Sequence, residues 1–196
     1  MNRIVVVYES KYGYTKRYAE WLGEALSCPV FERKAFRPRN LSKYETVIYG
    51  GGIYAGVISG IQFLRRNETL LSEKKVLLFT CGLADPDNPD NISNIRSFVE
   101  KAFSGKIPEQ IRLFHLRGGM DYSRLTFVHR SMMSILRKML LKKADSERSW
   151  EGRQILETYG QCLDFTDRKS IRPLVEYTGC ESSFCGSHFR SLRAPQ

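Results

Sequence analysis

The sequence predicts an α/β fold in which a doubly wound parallel sheet carries helices on both faces. Three observations lead there. Val5, Val6 and Val7 form a continuous apolar run, as a strand buried on both faces of a parallel sheet requires. From Tyr14 the pattern changes to helical spacing, with Tyr18, Trp21, Leu22, Ala25 and Leu26 in phase. This strand-then-helix pattern then recurs along the chain, so that five strands alternate with helical segments.

Each element follows in order. After the first unit, "PVFERK" reads as a short second strand and "TVIYG" as a third that ends in Gly50, Gly51 and Gly52. Residues 58–66 give a short amphipathic helix with Ile61, Phe63 and Leu64, and "KKVLLFTC" is a fourth strand. "NISNIRSFVEKAF" places Ile92, Ile95, Phe98, Val99 and Phe103 on one helical face, and "IRLFHLRGG" is the fifth strand. A long helix is expected over 123–143, followed by a polar stretch. A final helix starts near Asp167, capped by Thr166 or Asp167, with Pro173 bending it or marking its first turn. The chain divides into a domain over 1–178, with its basic helical segment at about 123–143, and a flexible tail over 179–196.

Composition narrows the function. A chain of 196 residues can bury a real core as one domain. Nothing at its start resembles a secretory signal, and no apolar run is long enough to span a membrane. Five scattered cysteines, an odd number, fit free thiols in a reducing cytoplasm. The formal charge of +10 points to an anionic partner. No recognised nucleic-acid module appears, so nucleic acid is not expected. Cys180, Cys185 and His188 supply three donors, one short of a structural zinc set, and no metal is expected. His115 and His129 have no nucleophile or carboxylate motif around them, so hydrolytic catalysis has no support.

The first strand-to-helix turn carries the chemistry. Ser10, Lys11, Tyr12, Gly13, Tyr14 and Thr15 read S-x-x-G-x-T: two hydroxyls flank a glycine that lets the backbone curl round a small anion. The turn lies at the carboxyl end of one strand and the amino end of one helix, where an open α/β sheet binds ligands and N–H groups face an anion. Neither a Walker loop nor a dinucleotide fingerprint is present.

With these features the chain resembles the flavodoxin family, whose first loop binds the phosphate of FMN. The resemblance implies a five-stranded sheet of order 2-1-3-4-5. It also implies that Gly52, Ile53, Tyr54, Ala55 and Gly56 of "GGGIYAG" form the loop packing on the isoalloxazine, with Tyr54 as stacking partner. Cys81, Gly82 and Leu83 begin the third loop, which lacks the family's usual Gly-Asp…Tyr pattern. Within the family, "LRGGMDYSRLTFVHRSMMSILRKMLLKK" and "DFTDRKSIRPLVEY" are similar to segments of the bacterial quinone-dependent protoporphyrinogen oxidases. That similarity implies oxidation of a porphyrinogen-like substrate with transfer to a quinone, the flavin carrying the chemistry. Arg117, Tyr122 and Arg124 are then the candidates to meet substrate carboxylates. This sequence departs from the subgroup over 143–165, where it is longer, and after Gly179.

The segment from Arg117 to Arg148 holds eight Lys/Arg against three acids. Leu125, Val128, Met132, Ile135, Leu136, Met139 and Leu140 recur at intervals of three and four. Such a helix can lie on an anionic membrane surface, or it can pack on a core with a solvated charged back. Peripheral attachment at the inner face of the membrane is the corresponding expectation for localisation. Two other functions compete with the oxidase: an electron carrier with an acidic protein partner, and an interaction protein that has lost its cofactor.

Overall fold

The computed structural model describes residues 3–148 and 150–179. The central strands are β1 (Ile4–Glu9), β2 (Val30–Glu32) and β3 (Thr46–Tyr54), with the short β4 (Val57–Ile58) folded back on the end of β3. They are followed by β5 (Lys75–Gly82) and β6 (Ile111–Arg117). The main path runs β2-β1-β3-β5-β6 with every neighbour parallel, which is the expected 2-1-3-4-5 order once β4 is set aside.

Alternation along the strands divides the core in two. Ile4, Val6, Tyr8, Ile48, Leu77 and Phe79 face α1 (Tyr14–Leu26) and α7 (Arg172–Thr178). Val5, Val7, Val47, Tyr49, Val76 and Leu78 face the opposite layer. That layer contains α2 (Gln62–Arg66), α3 (Glu68–Leu71) and α4 (Pro89–Ala102). Strands buried on both sides explain why the sequence shows apolar runs there rather than alternation.

Several elements differ from the expectation. Ile58 lies in β4, paired with Ile53, and the helix expected over 58–66 begins only at Gln62. "IRLFHLRGG" is split: β6 ends at Arg117, and β7 (Gly119–Asp121) leaves the main sheet to pair with β8 (Cys162–Asp164). The helix expected from Ser123 is a 3-10 turn over Tyr122–Arg124 followed by α5 (Phe127–Lys142), whose start Thr126 caps. The stretch read as merely polar contains α6 (Trp150–Glu157) and β8. Asp167 caps a 3-10 turn, and Pro173 sits in the first turn of α7, where its missing N–H costs nothing. The region 119–165 is thus an excursion from the sheet, closed at its base by β7–β8. The Arg17–Asp164 ion pair (2.6 Å) fastens it to α1. The proposed tail with Cys180, Cys185 and His188 lies outside the described residues.

Candidate functional site

At the carboxyl ends of β1, β3 and β5, three loops and helix α5 enclose a pocket of about 430 Å³, inside the roughly 300–1,000 Å³ range of cofactor-sized sites. Its walls are mostly apolar. Tyr12, Tyr14 and Thr15 come from the first turn, Ile53, Tyr54 and Ala55 from the second loop, and Cys81, Gly82 and Leu83 from the third. The structure places these residues, each named from the sequence, around one pocket. The remaining walls come from the excursion: Gly118, Gly119 and Met120 at its start, then Leu125, His129, Met132, Met133 and Leu136.

The first turn curls tightly around Gly13. Gly13 adopts a left-handed conformation (φ 97°), and the Ser10 hydroxyl accepts the Gly13 N–H at 3.0 Å, locking the curl. Thr15 is fully buried, and its hydroxyl bonds the Cys81 thiol rather than facing outward. The Lys11 N–H points into the site, where it donates to the Tyr54 hydroxyl at 3.1 Å. Ser10, Lys11, Gly13, Gly52 and Gly56 contribute backbone shape rather than pocket wall. Gly52 is needed where it stands, since a Cβ there would meet the Tyr54 hydroxyl at 2.7 Å.

Tyr54 does face its neighbours, but the rings beside it are protein rings. Its ring stacks on His129 (5.6 Å, 26°) and meets Tyr12 edge-on (5.5 Å, 79°). The Tyr12 hydroxyl lies 2.6 Å from His129 Nδ1 and accepts the Thr126 N–H at 3.4 Å. Lys11 Nζ lies 3.5 Å from His129 Nε2. Desolvation, and then the Lys11 charge, hold the His129 pKa below the ordinary imidazole value. Burial raises the Tyr54 phenol, and it pushes the Cys81 thiol up to about 12, so both are neutral near pH 7.

The three residues proposed to meet substrate carboxylates lie outside the pocket wall. Arg117 pairs with Asp85 at 2.8 Å, points its Nε at the Leu83 carbonyl, and covers the Phe165 ring at 4.0 Å. Its charge is already matched, and it clamps the third loop to the excursion. Tyr122 packs against Tyr159, whereas Arg124 is exposed. His129, Met132, Met133 and Leu136 were not singled out as site residues. Their 129–132–133–136 spacing marks one helical face, but the apolar residues beside it obscured that face.

Parallel strands, a Gly-bearing nest at the start of α1 and an apolar slot between strand-end loops define a class: α/β proteins that bind a flavin nucleotide by its phosphate and ring. A flavodoxin domain model matches residues 5–147, and the chain belongs to the flavodoxin family. Among functionally curated proteins none matches the chain. Solved structures give distant likenesses. A Bacteroides eggerthii protein assigned as a flavoprotein is 16% identical, over 69% of this chain and 98% of that one (TM-score 0.44). Oxidised Flavodoxin 1 from Bacillus cereus is 13% identical over 58% and 83% (TM-score 0.39). The Trp repressor binding protein from Bacillus subtilis is 19% identical over 59% and 83% (TM-score 0.41).

FMN is the cofactor of this domain, and the residues present fit it. The nest already holds one oxygen, that of Tyr54, on the Lys11 amide, so a phosphate oxygen has a donor there. The slot beside it is bordered by Ile53, Leu83, Met132 and Met133, which can cover a flat ring and keep water from it. The third loop offers no tyrosine, and α5 supplies the wall on its behalf.

Proposed function

We propose that this protein is an FMN-dependent oxidoreductase that oxidises a porphyrinogen-like substrate and passes the electrons to a membrane quinone. One observation supports this reading above the others: a single basic helix, α5, walls the flavin pocket with part of its apolar stripe and leaves the rest of that stripe exposed. Leu125, His129, Met132, Met133 and Leu136 face the pocket. Phe127, Val128, Ile135 and Met139 are exposed, Phe127 by 84%. Arg130, Arg137, Lys138 and Lys142 share the helix with them.

An apolar stripe shared between pocket and solvent on one charged helix suits a site that works against an anionic bilayer, where a lipid quinone and an anionic macrocycle both arrive. Among the described residues no helix is long and apolar enough to cross a membrane, so attachment would be peripheral. Bound FMN supplies the hydride or single-electron chemistry. The chain's own residues bind and orient the reactants and exclude water. Exposed Arg124 is the proposed contact for a substrate carboxylate, since the Arg117 charge is spent on Asp85.

Anaerobic mixing of the oxidised protein with protoporphyrinogen, followed at the flavin absorbance band, tests the reading. Bleaching by the porphyrinogen and recovery on adding a quinone are expected. A flavin that stays oxidised, yet is reduced readily by a protein reductase, would make the chain an electron carrier instead.

A further inference from the structure

We propose that Tyr54 is a built-in competitor for the flavin phosphate: its hydroxyl occupies the loop amides that the phosphate needs, and His129 holds it there. The inference rests on the reading that the first turn is the phosphate site, and concerns how that site is filled.

The geometry is specific. The Tyr54 hydroxyl accepts the Lys11 N–H at 3.1 Å and also meets the backbone of Tyr12. Tyr54 ends β3, and the turn after it, Ala55 (φ 51°) and Gly56 (φ 76°), runs through the left-handed region. Pairing of Tyr54 with Val57 across this turn fixes where the side chain begins. The bare Cα of Gly52 lets the ring fold back toward the first loop. His129 then stacks on the ring while its Nδ1 engages Tyr12, and Thr126 adds its N–H to the same Tyr12 oxygen. Three segments far apart in sequence, the first turn, the end of β3 and the start of α5, therefore meet on one tyrosine.

A phenol oxygen and a phosphate oxygen compete unequally for one amide. The phenol is neutral, whereas the phosphate is charged, and a charge-assisted hydrogen bond is roughly twice as strong as a neutral one. FMN can displace the hydroxyl. Riboflavin, which has no phosphate, gains nothing from displacing it and leaves it in place. The competitor consequently taxes FMN binding but not riboflavin binding. Since His129 also stacks on Tyr54, departure of the ring removes one of the contacts that hold the first turn of α5 and leaves those to Tyr12 and Lys11, so cofactor loading is coupled to the helix that walls the pocket.

The test uses the full chain freed of flavin, titrated with FMN, riboflavin and inorganic phosphate. Tyr54→Phe keeps the ring and any stacking but deletes the competing oxygen. The expected result is FMN affinity up by about fivefold, the worth of one ordinary hydrogen bond, with riboflavin affinity unchanged. Inorganic phosphate should perturb the Lys11 and Tyr12 amide resonances at lower concentration in the variant. His129→Ala should shift the FMN/riboflavin ratio the same way, and should speed hydrogen exchange in the first turn of α5. If the parent prefers FMN and Tyr54→Phe leaves that preference unchanged, the competitor is overturned while the phosphate site stands. Equal loss of FMN and riboflavin binding in Tyr54→Phe would also overturn it, since the hydroxyl would then support both ligands instead of competing with one. A parent that binds riboflavin as tightly as FMN would overturn the phosphate site and the competitor together.

Discussion

Strands β1, β3 and β5 and helix α5 wall the same pocket, yet they are held in place by different means. The strands are buried on both faces, and Val5 to Val7, Val47 to Tyr49 and Val76 to Phe79 have no exposed surface. Helix α5 has sixteen residues and none of them is buried. Its ties to the sheet domain are a few polar and ring contacts at its start, through His129 and Thr126, together with buried Leu125 just before it. Hydrophobic burial stabilises the first wall, and directional contacts position the second. The comparison teaches that the strands from which the site loops spring are rigid by construction, while the helical wall is free to respond to ligand or surface.

The largest effect on folding should come from the rigid side. Gly50 lies on β3 opposite Phe79, and any Cβ there would collide with the Phe79 ring. That ring is itself fully buried and cannot swing aside. Gly50→Val should therefore cost about 3 kcal/mol and lower Tm by roughly 6–12 °C in a thermal melt. A melt within a degree of the parent would show that the sheet yields more than its packing implies.

Legibility in the sequence divides along the same line. The strands and the first turn could be read because burial on both faces writes an apolar run, and a nest writes its glycine and hydroxyls locally. β4 is not legible, because two residues folding back on a strand end leave no period to detect. The excursion was read only as a basic helix. Its apolar positions form one stripe, which the structure divides: Leu125, Met132 and Leu136 line the pocket, Met132 while still 43% exposed, and Val128, Ile135 and Met139 lie in solvent. Periodicity reports that a face is apolar, not what covers it. Nothing local to Arg117 announces Asp85 or Phe165, which reach it across 32 and 48 residues of chain.

A middle-sized effect should appear on acidification, and it contrasts the two histidines. His115 on β6 bonds Thr80 at 2.8 Å, and burial, with a smaller contribution from the Arg96 charge, lowers its pKa to about 4. The unfolded chain takes up a proton near pH 6.5, while the folded one resists until about pH 4. Stability from this site is complete above pH 6.5, is lost as pH falls toward 4, and levels off below. Allowing for partial solvent screening, the loss is roughly 2 kcal/mol. Melts of the parent and of His115→Gln, compared between pH 7 and 4.5, should converge as the pH falls. For His129, nearer the surface, the shift has the same sign, and a His129→Gln melt should track the parent more closely across that range. A larger convergence for His129→Gln would reverse the assignment of rigid and adaptable walls.

The smallest effect on folding is expected on the outer face of α5, where the functional effect should be large. Ile135 and Met139 are each 59% exposed, so replacing both with serine removes little that the folded chain has buried. The change in stability should stay within about 0.5 kcal/mol per site. Serine leaves the charge of the helix untouched, so any change in surface binding reports apolar contact alone. Flotation with vesicles containing phosphatidylglycerol should show the parent bound at low salt and released as salt rises. The double variant should bind at least about tenfold more weakly, because burial of an apolar side chain of this size is worth on the order of 1.5 kcal/mol or more. Leu136→Ser, on the pocket side of the same helix, should bind vesicles like the parent while weakening FMN binding, since Leu136 lines the slot. If instead the outer-face variant lost FMN and kept its vesicles, the two faces of α5 would have to be exchanged, and with them the proposed direction from which quinone and substrate reach the flavin.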